Sequence, residues 1–405
     1  MKNNNFIFKN NIYPKYLSKK LSNKFHKKYL KIEKEVSDLI EEPENVYNIL
    51  SKDFSLNFKV RDLKRFKMYK NIAIIGMGGS ILGTHAIFKF LEKKIKKKLF
   101  FFDNIDYDNT LNFKQNINKN SVLFIVISKS GNTTETISNF FFINKIKKNQ
   151  KNVILISEKQ NSALFEISKK YNLFYVEHKC FIGGRYSVLS EVGILPAYLM
   201  GINIFLLRKN LKNFFLSMKK TLLKESSIKI ANIIYHKKLK NLIFLNYSPR
   251  LEKFLYWYQQ LVGESLGKKG NGLLPVVSPV PKDHHSVLQL YLDGPRDKLF
   301  HIFSLEESTK KKIKFKKVSK KINYLYNKDL LKIKNAQKEA LIKTLKINKI
   351  PFRELKIKKC DEETLGQLFS YFILETSIVG KILDIDPFDQ PAVEQVKKLT
   401  KIILG

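Results

Sequence analysis

NIAIIGMGGSILGTHAIFKFLEKK, residues 71–94, is the stretch from which the fold is read. NIAIIG (71–76) is a short and almost wholly apolar run, the pattern of a strand covered on both faces. GMGGSILG (76–83) then turns the chain, and SILGTHAIFKFLEKK (80–94) continues with helical periodicity. Strand, glycine turn and helix in that order form the repeating unit of a parallel sheet with helices on both faces. The unit recurs downstream. KLFFFD (98–103), SVLFIVIS (121–128), NVILIS (152–157) and NLFYVE (172–177) read as strands, and TTETISNFFFINKIKK (133–148) as a helix.

A second series starts near residue 240. NLIFLNYS (241–248), KLFHIFSLEE (298–307) and PFRELKIKK (351–359) read as strands. PRLEKFLYWYQQLVGES (249–265), with Pro in its first turn, DLLKIKNAQKEALIKTLKI (329–347) and DEETLGQLFSYFILETSIVGKIL (361–383) read as helices. PAVEQVKKLTKIIL (391–404) closes the chain as a helix, also with Pro at its start. Helices around 188–235 join the two halves. The expected units are an N-terminal helical and polar segment (1–50, Lys-rich and amphipathic at 15–40), a first α/β domain (51–200), a second (201–383) and a C-terminal helix (384–405).

Composition bounds the function. A chain of 405 residues, 44% hydrophobic, suggests two or three domains with real cores. Its two cysteines, Cys180 and Cys360, are far apart. With no CxxC or Cys/His cluster, neither a disulfide scaffold nor a zinc site is indicated, and a reducing cytoplasm fits. No apolar run reaches the ~20 residues that span a bilayer. The start lacks the apolar core and small-residue cleavage site of a secretory leader. A cytoplasmic, membrane-free protein is expected. The net charge of +39 raises the question of nucleic acid. The lysines, however, are spread along the chain on solvated faces, with local runs at 93–98 and 308–321, and no nucleic-acid-binding module is present. The charge reads first as compositional drift, with attraction of an anionic substrate as a secondary effect.

Two motifs suit an anion. GMGGSILG lies at a strand-to-helix junction, where glycines permit a tight turn or a close ligand approach and the helix start exposes N–H groups. It lacks the G-x-G-x-x-G spacing of a dinucleotide site. SKSGNTTET (128–136) again follows a strand and precedes a helix. Ser128, Ser130, Thr133 and Thr134 supply hydroxyls, and Gly131 lets the loop fold into a nest of N–H groups. One helix cap uses fewer hydroxyls than this, which favours a phosphate. No Walker pattern is present.

GMGGSILG, SKSGNTTET, GGRYSVLSEVGILP (183–196), GESLGK (263–268), HHSVLQ (284–289) and FDQPAVEQVKK (388–398) together resemble the glucose-6-phosphate isomerase family, in order and approximate spacing. The resemblance implies an α/β fold with two SIS-type (flavodoxin-like) parallel-sheet domains, helices on both faces and terminal helices. It implies a homodimer, a sugar-phosphate substrate, and an active site between the domains with no metal or organic cofactor. The implied reaction interconverts glucose 6-phosphate and fructose 6-phosphate through a cis-enediolate. Alternatives are an isomerase that also takes mannose 6-phosphate, and an inactive sugar-phosphate sensor, which would be expected to lack the base.

The resemblance also assigns roles. Glu264 is implied as the base moving a proton between C1 and C2. Arg185, after Gly183 and Gly184, would reach into the cleft and stabilise the enediolate. His285 would protonate the ring oxygen and come from the neighbouring chain; its neighbour His284 is given no role. Lys397 would assist ring opening, and Gln390, seven residues earlier and about 700° round the helix, would help hold phosphate. Gly79, Ser80, Ser128, Lys129, Ser130 and Thr133 complete the implied substrate and phosphate site. Asn132, where the bacterial pattern often has Thr, and Pro391-Ala392, in place of the usual pair before Val-Glu, depart from the family.

Overall fold

Ten strands form two five-stranded sheets in a computed structural model, which describes residues 5–215, 219–309, 311–314 and 319–405. The strands are β1 (Phe6–Asn11), β2 (Asn71–Gly76), β3 (Lys98–Phe102), β4 (Val122–Ile127), β5 (Val153–Ser157), β6 (Phe174–Glu177), β7 (Asn241–Asn246), β8 (Leu274–Pro279), β9 (Lys298–Leu305) and β10 (Phe352–Ile357). Part of the lysine-rich run 308–321 lies outside the described residues.

The first sheet has the order β3-β2-β4-β5-β6, parallel throughout. Counted from its own first strand this is the flavodoxin-like order, which reverses direction between β2 and β4. The apolar runs are continuous because both faces are covered. Ile72 and Ile74 face one core with Leu123, Ile125 and Leu195, while Ala73 and Ile75 face another with Phe124, Val126 and Phe140. The parallel core of the second sheet repeats the plan, with β9 and β8 on either side of β7 and β10 beyond β9. Leu242 and Phe244 face the larger core, and Ile243 and Leu245 the smaller.

Two strands depart from the expectations. β1 lies within the segment expected to be helical; the helix there runs over Lys19–Glu41, and β1 precedes it. β1 adds antiparallel to β10, Phe6 opposite Ile357, so the second sheet is mixed. It supplies partners for backbone groups that the edge of β10 would otherwise leave open. β8 is the other edge. It holds Pro275 and Pro279, and a proline that cannot donate to a ladder is tolerated at an edge.

The expected helices are present over Leu82–Leu91, Thr134–Ile143, Glu252–Leu266, Leu330–Ile347, Glu362–Ile382 and Glu394–Leu404. Glu362–Ile382 starts on the side chain of Asp361, which accepts from Thr364 N at 2.9 Å. It is buried at nearly every position because sheet and helices pack all round it. Glu394–Leu404 is the opposite case, exposed at every residue. Among the described residues no helix is long and apolar enough to cross a membrane.

Candidate active site

The register of the first sheet places two loops side by side. Gly76, the last residue of β2, is opposite Ile127, the last of β4. The turns beyond them, 77–80 and 128–133, therefore leave the same end of adjacent strands, at the reversal point where open α/β sheets bind ligands. Gly79 is required by proximity. A Cβ there would stand 2.2 Å from the carbonyl carbon of Gly184, so only glycine lets the turn meet the segment carrying Arg185. Gly131 is required by conformation, with φ at +68° and a Cβ position 1.8 Å from Ser162 Oγ.

The second loop is tied from beneath. Ser128 is buried, and its Oγ lies 2.8 Å from Thr133 Oγ1. Asn132 Nδ2 donates to Asn161 O at 2.5 Å, and its Oδ1 accepts from Ala163 N at 3.0 Å. The amide thus ties the loop to the start of the next helix through two separate atoms, its nitrogen donating and its oxygen accepting. Lys129 Nζ donates to Cys180 O at 2.7 Å and is 3.5 Å from Glu158. Thr133, the residue before helix Thr134–Ile143, makes no capping bond, so its hydroxyl is not an ordinary helix cap. The helix start, with its unpaired N–H groups, is one wall of a large cavity.

Arg185 and Glu264 come from different halves of the chain and meet here. Arg185 Nη1 donates to Glu264 Oε2 at 3.2 Å and to Gln390 Oε1 at 3.1 Å. Nη2 donates to Pro387 O at 2.7 Å and Asp389 O at 2.9 Å, and Nε to Ser265 Oγ at 2.9 Å. All five N–H groups of the guanidinium are thereby engaged. The Arg185 side chain borders the cavity, but it is 2% exposed and locked by these bonds. Trp257 Nε1 holds the Arg185 carbonyl at 3.1 Å. Tyr186, whose phenol burial pushes up to about 12, stays neutral and donates to Pro387 O at 3.0 Å. Glu264 is one-third exposed, and its other oxygen accepts from Gln260 Nε2 at 2.9 Å.

The cavity, of about 930 Å³, opens over these groups. Gly79, Ser80, Lys129, Ser130, Thr133, Arg185, Glu264, Gln390 and Lys397 all line it. Lys397 is exposed and paired to Glu394 at 2.7 Å. Two predicted residues are not on the wall. Ser128 lies under its loop, and His285 is exposed in the turn Lys282–His285 after β8. The adjacent His284 meets Tyr247 Oη at 3.0 Å, and burial, then the charge of His285, lowers its pKa.

A model of the phosphoglucose isomerase family matches residues 31–272. The chain belongs to the phosphoglucose isomerase family. Within that family it is 35% identical over 355 residues to a probable glucose-6-phosphate isomerase of Methanococcus maripaludis, covering 82% of this chain and 78% of the relative. The glucose-6-phosphate isomerase of Methanocaldococcus jannaschii is 31% identical, with 83% and 84% covered, and that of Campylobacter jejuni 33%, with 83% and 86% covered. In fold the chain is similar to a hypothetical protein from Thermus thermophilus (TM-score 0.83, 22% identity, 98% of this chain and 100% of that one). It is also similar to a glucose-6-phosphate isomerase from Chlamydia trachomatis (TM-score 0.77, 17% identity, 99% and 88%).

Two residues that the sequence reading did not single out stand against the family's motifs. Gln260 is one helical turn before Glu264, and that i, i+4 spacing was the available signal. Lys268 ends the GESLGK segment, and its partners lie 118 and 121 residues away, so no local pattern could reveal them.

Proposed function

We propose that this chain interconverts glucose 6-phosphate and fructose 6-phosphate by ring opening and proton transfer through a cis-enediolate, with Glu264 as the base. One observation carries the reading. The Glu264 carboxylate lies in the same cavity as the 129–134 loop, held by Gln260 on one oxygen and by the buried Arg185 on the other. A carboxylate fixed at both oxygens keeps its position while protons move.

In the aldose-to-ketose direction Glu264 takes the C2 proton as the C1 carbonyl oxygen gains negative charge. It then returns the proton to C1 while O2 becomes the carbonyl and the O2 proton passes to O1. Arg185 favours the enediolate by its charge, since its N–H groups are spent on protein oxygens. Ser130, Thr133 and the start of helix Thr134–Ile143 take the phosphate, and Gly79 and Ser80 form the adjoining wall.

The ring is opened by Lys397 together with His285 of the partner subunit, in a homodimer. His285 lies off the cavity of its own chain, which supports a role in a neighbour's site. A cytoplasmic location fits the unpaired Cys180 and Cys360 and a charged substrate that does not cross a bilayer. A coupled assay tests the proposal: the purified protein should turn over glucose 6-phosphate, with the rate unchanged after dialysis against a chelator. Folded protein without turnover contradicts it.

A further inference from the structure

Residues 386–390 form a strap that joins the end of helix Glu362–Ile382 to the exposed helix Glu394–Leu404. Phe388 anchors it by packing against the rings of Tyr47 and Tyr186. Its polar atoms are gripped by two cations. Arg185 donates to Pro387 O, Asp389 O and Gln390 Oε1. Lys268 holds it as well: Nζ donates to Asp386 O at 2.5 Å and Asp389 O at 2.6 Å, and pairs with the Asp389 carboxylate. All three ammonium donors of Lys268 are thus spent on the strap. The Lys268 side chain is only 13% exposed, although Asp389 is half exposed, so the ammonium is spent on the strap rather than on solvent.

The strap matters because it carries the final helix. Every residue from 389 to 405 is exposed, so that helix has no buried face of its own to fix it. Gln390 and Lys397 nevertheless line the cavity. Their placement depends on where the strap is held. We propose that Lys268 is a positioning residue for the ring-opening step: it fixes the strap, and through it sets Gln390 and Lys397 against the substrate. This rests on the isomerase reading above. Lys268 does not touch substrate, and proton transfer at C2 does not pass through it.

The two readings separate in one experiment. In a Glu264→Gln background C2 transfer is removed, and the rate at which α- and β-glucose 6-phosphate interconvert on the protein reports ring opening alone. Adding Lys268→Met should lower that rate by roughly 10²-fold, the cost of misplacing a reacting group by about an ångström. Lys268→Arg, which keeps a charged donor, should recover part of it. Should Lys268→Met fail to fold, Asp389→Asn replaces it, removing the ion pair while leaving both carbonyl contacts, and should slow anomerisation roughly tenfold. Anomerisation at the Glu264→Gln rate in folded Lys268→Met, or in Asp389→Asn if that stands in, overturns the role of Lys268. Isomerisation by Glu264→Gln itself overturns instead the underlying assignment of the base.

Discussion

Arg185 Nη1 lies 3.2 Å from Glu264 Oε2 and 3.1 Å from Gln390 Oε1, so one nitrogen joins the proposed base to the strap that leads to the last helix. The guanidinium is the meeting point of three segments distant in sequence, and its other donors hold Ser265 and the carbonyls of Pro387 and Asp389. Its structural and electrostatic roles can be separated by substitution.

Arg185→Met removes the charge partner of Glu264 and one donor from each strap carbonyl, leaving only Gln260 on the carboxylate, Tyr186 on Pro387 O and Lys268 on Asp389 O. It should lower unfolding free energy by about 1.5–3 kcal/mol, the order for losing hydrogen bonds to a charged group, because the one-third exposed Glu264 is still reached by water. Arg185→Lys keeps the charge but cannot reproduce five directed bonds. It should regain part of the stability while kcat stays lower by roughly 10²-fold, because the Glu264 carboxylate and the strap are no longer held in place. Denaturant titration and steady-state kinetics measure both. A Met variant as stable as the parent contradicts the assignment.

The 128–134 loop should govern affinity. Ser130→Ala with Thr133→Ala should raise KM for the sugar phosphate and the inhibition constant of inorganic phosphate together, with kcat less affected. Gly131→Ala should do the same for a different reason, because φ is +68° and the new methyl meets Ser162. Unchanged affinity for both anions in the double Ala variant would move the phosphate site elsewhere.

How far the sequence foretold this depends on the residue. The central strands were legible because β2, β4, β5 and β7 are covered on both faces and read as unbroken apolar runs. β1 and β8 were not. Both are edges: β1 is half polar (FIFKNN) and β8 is interrupted by two prolines, so neither carries a strand signal of its own. In the site, the glycines and hydroxyls of the two loops were visible as local patterns. The contact between Arg185 and Glu264 crosses 79 residues and followed only from the family likeness, which did not show that the arginine is locked. Lys268 was hidden for the same reason. Its role is set by carbonyl oxygens of the strap, and backbone acceptors leave no mark in a sequence.

Acid should destabilise the fold through buried histidines. Burial, then the nearby charge of Lys129, lowers His178 to about 3. The folded pKa is depressed below the unfolded value of about 6.5, so between those values the unfolded chain binds a proton that the folded chain does not. Stability should fall as pH drops from about 6.5 toward 3, by up to ~1.4 kcal/mol per pH unit from this group. His301, fully buried and shifted well down by burial, acts in the same sense. His178→Phe should therefore show a shallower loss of stability than the parent between pH values of about 6 and 4 in denaturant titrations. Equal slopes contradict the claim.

Subunit exchange tests the shared site. Chains carrying His285→Ala and chains carrying Glu264→Gln should each be inactive alone and regain part of the activity when mixed, because one site of each heterodimer is built from intact residues. Demonstrated exchange with no recovery would place both residues in one chain's site.

The assignment of Glu264 as base is tested most directly by the exchange of the C2 hydrogen of glucose 6-phosphate with deuterium from solvent, in Glu264→Gln. The amide keeps the shape of the side chain and its approach to Arg185 and Gln260, but it cannot accept the proton. The account predicts a folded protein in which exchange and isomerisation both fall by ~10²–10⁴-fold or more, with little change in KM. A folded Glu264→Gln protein that exchanges the C2 hydrogen at the parent rate would contradict it.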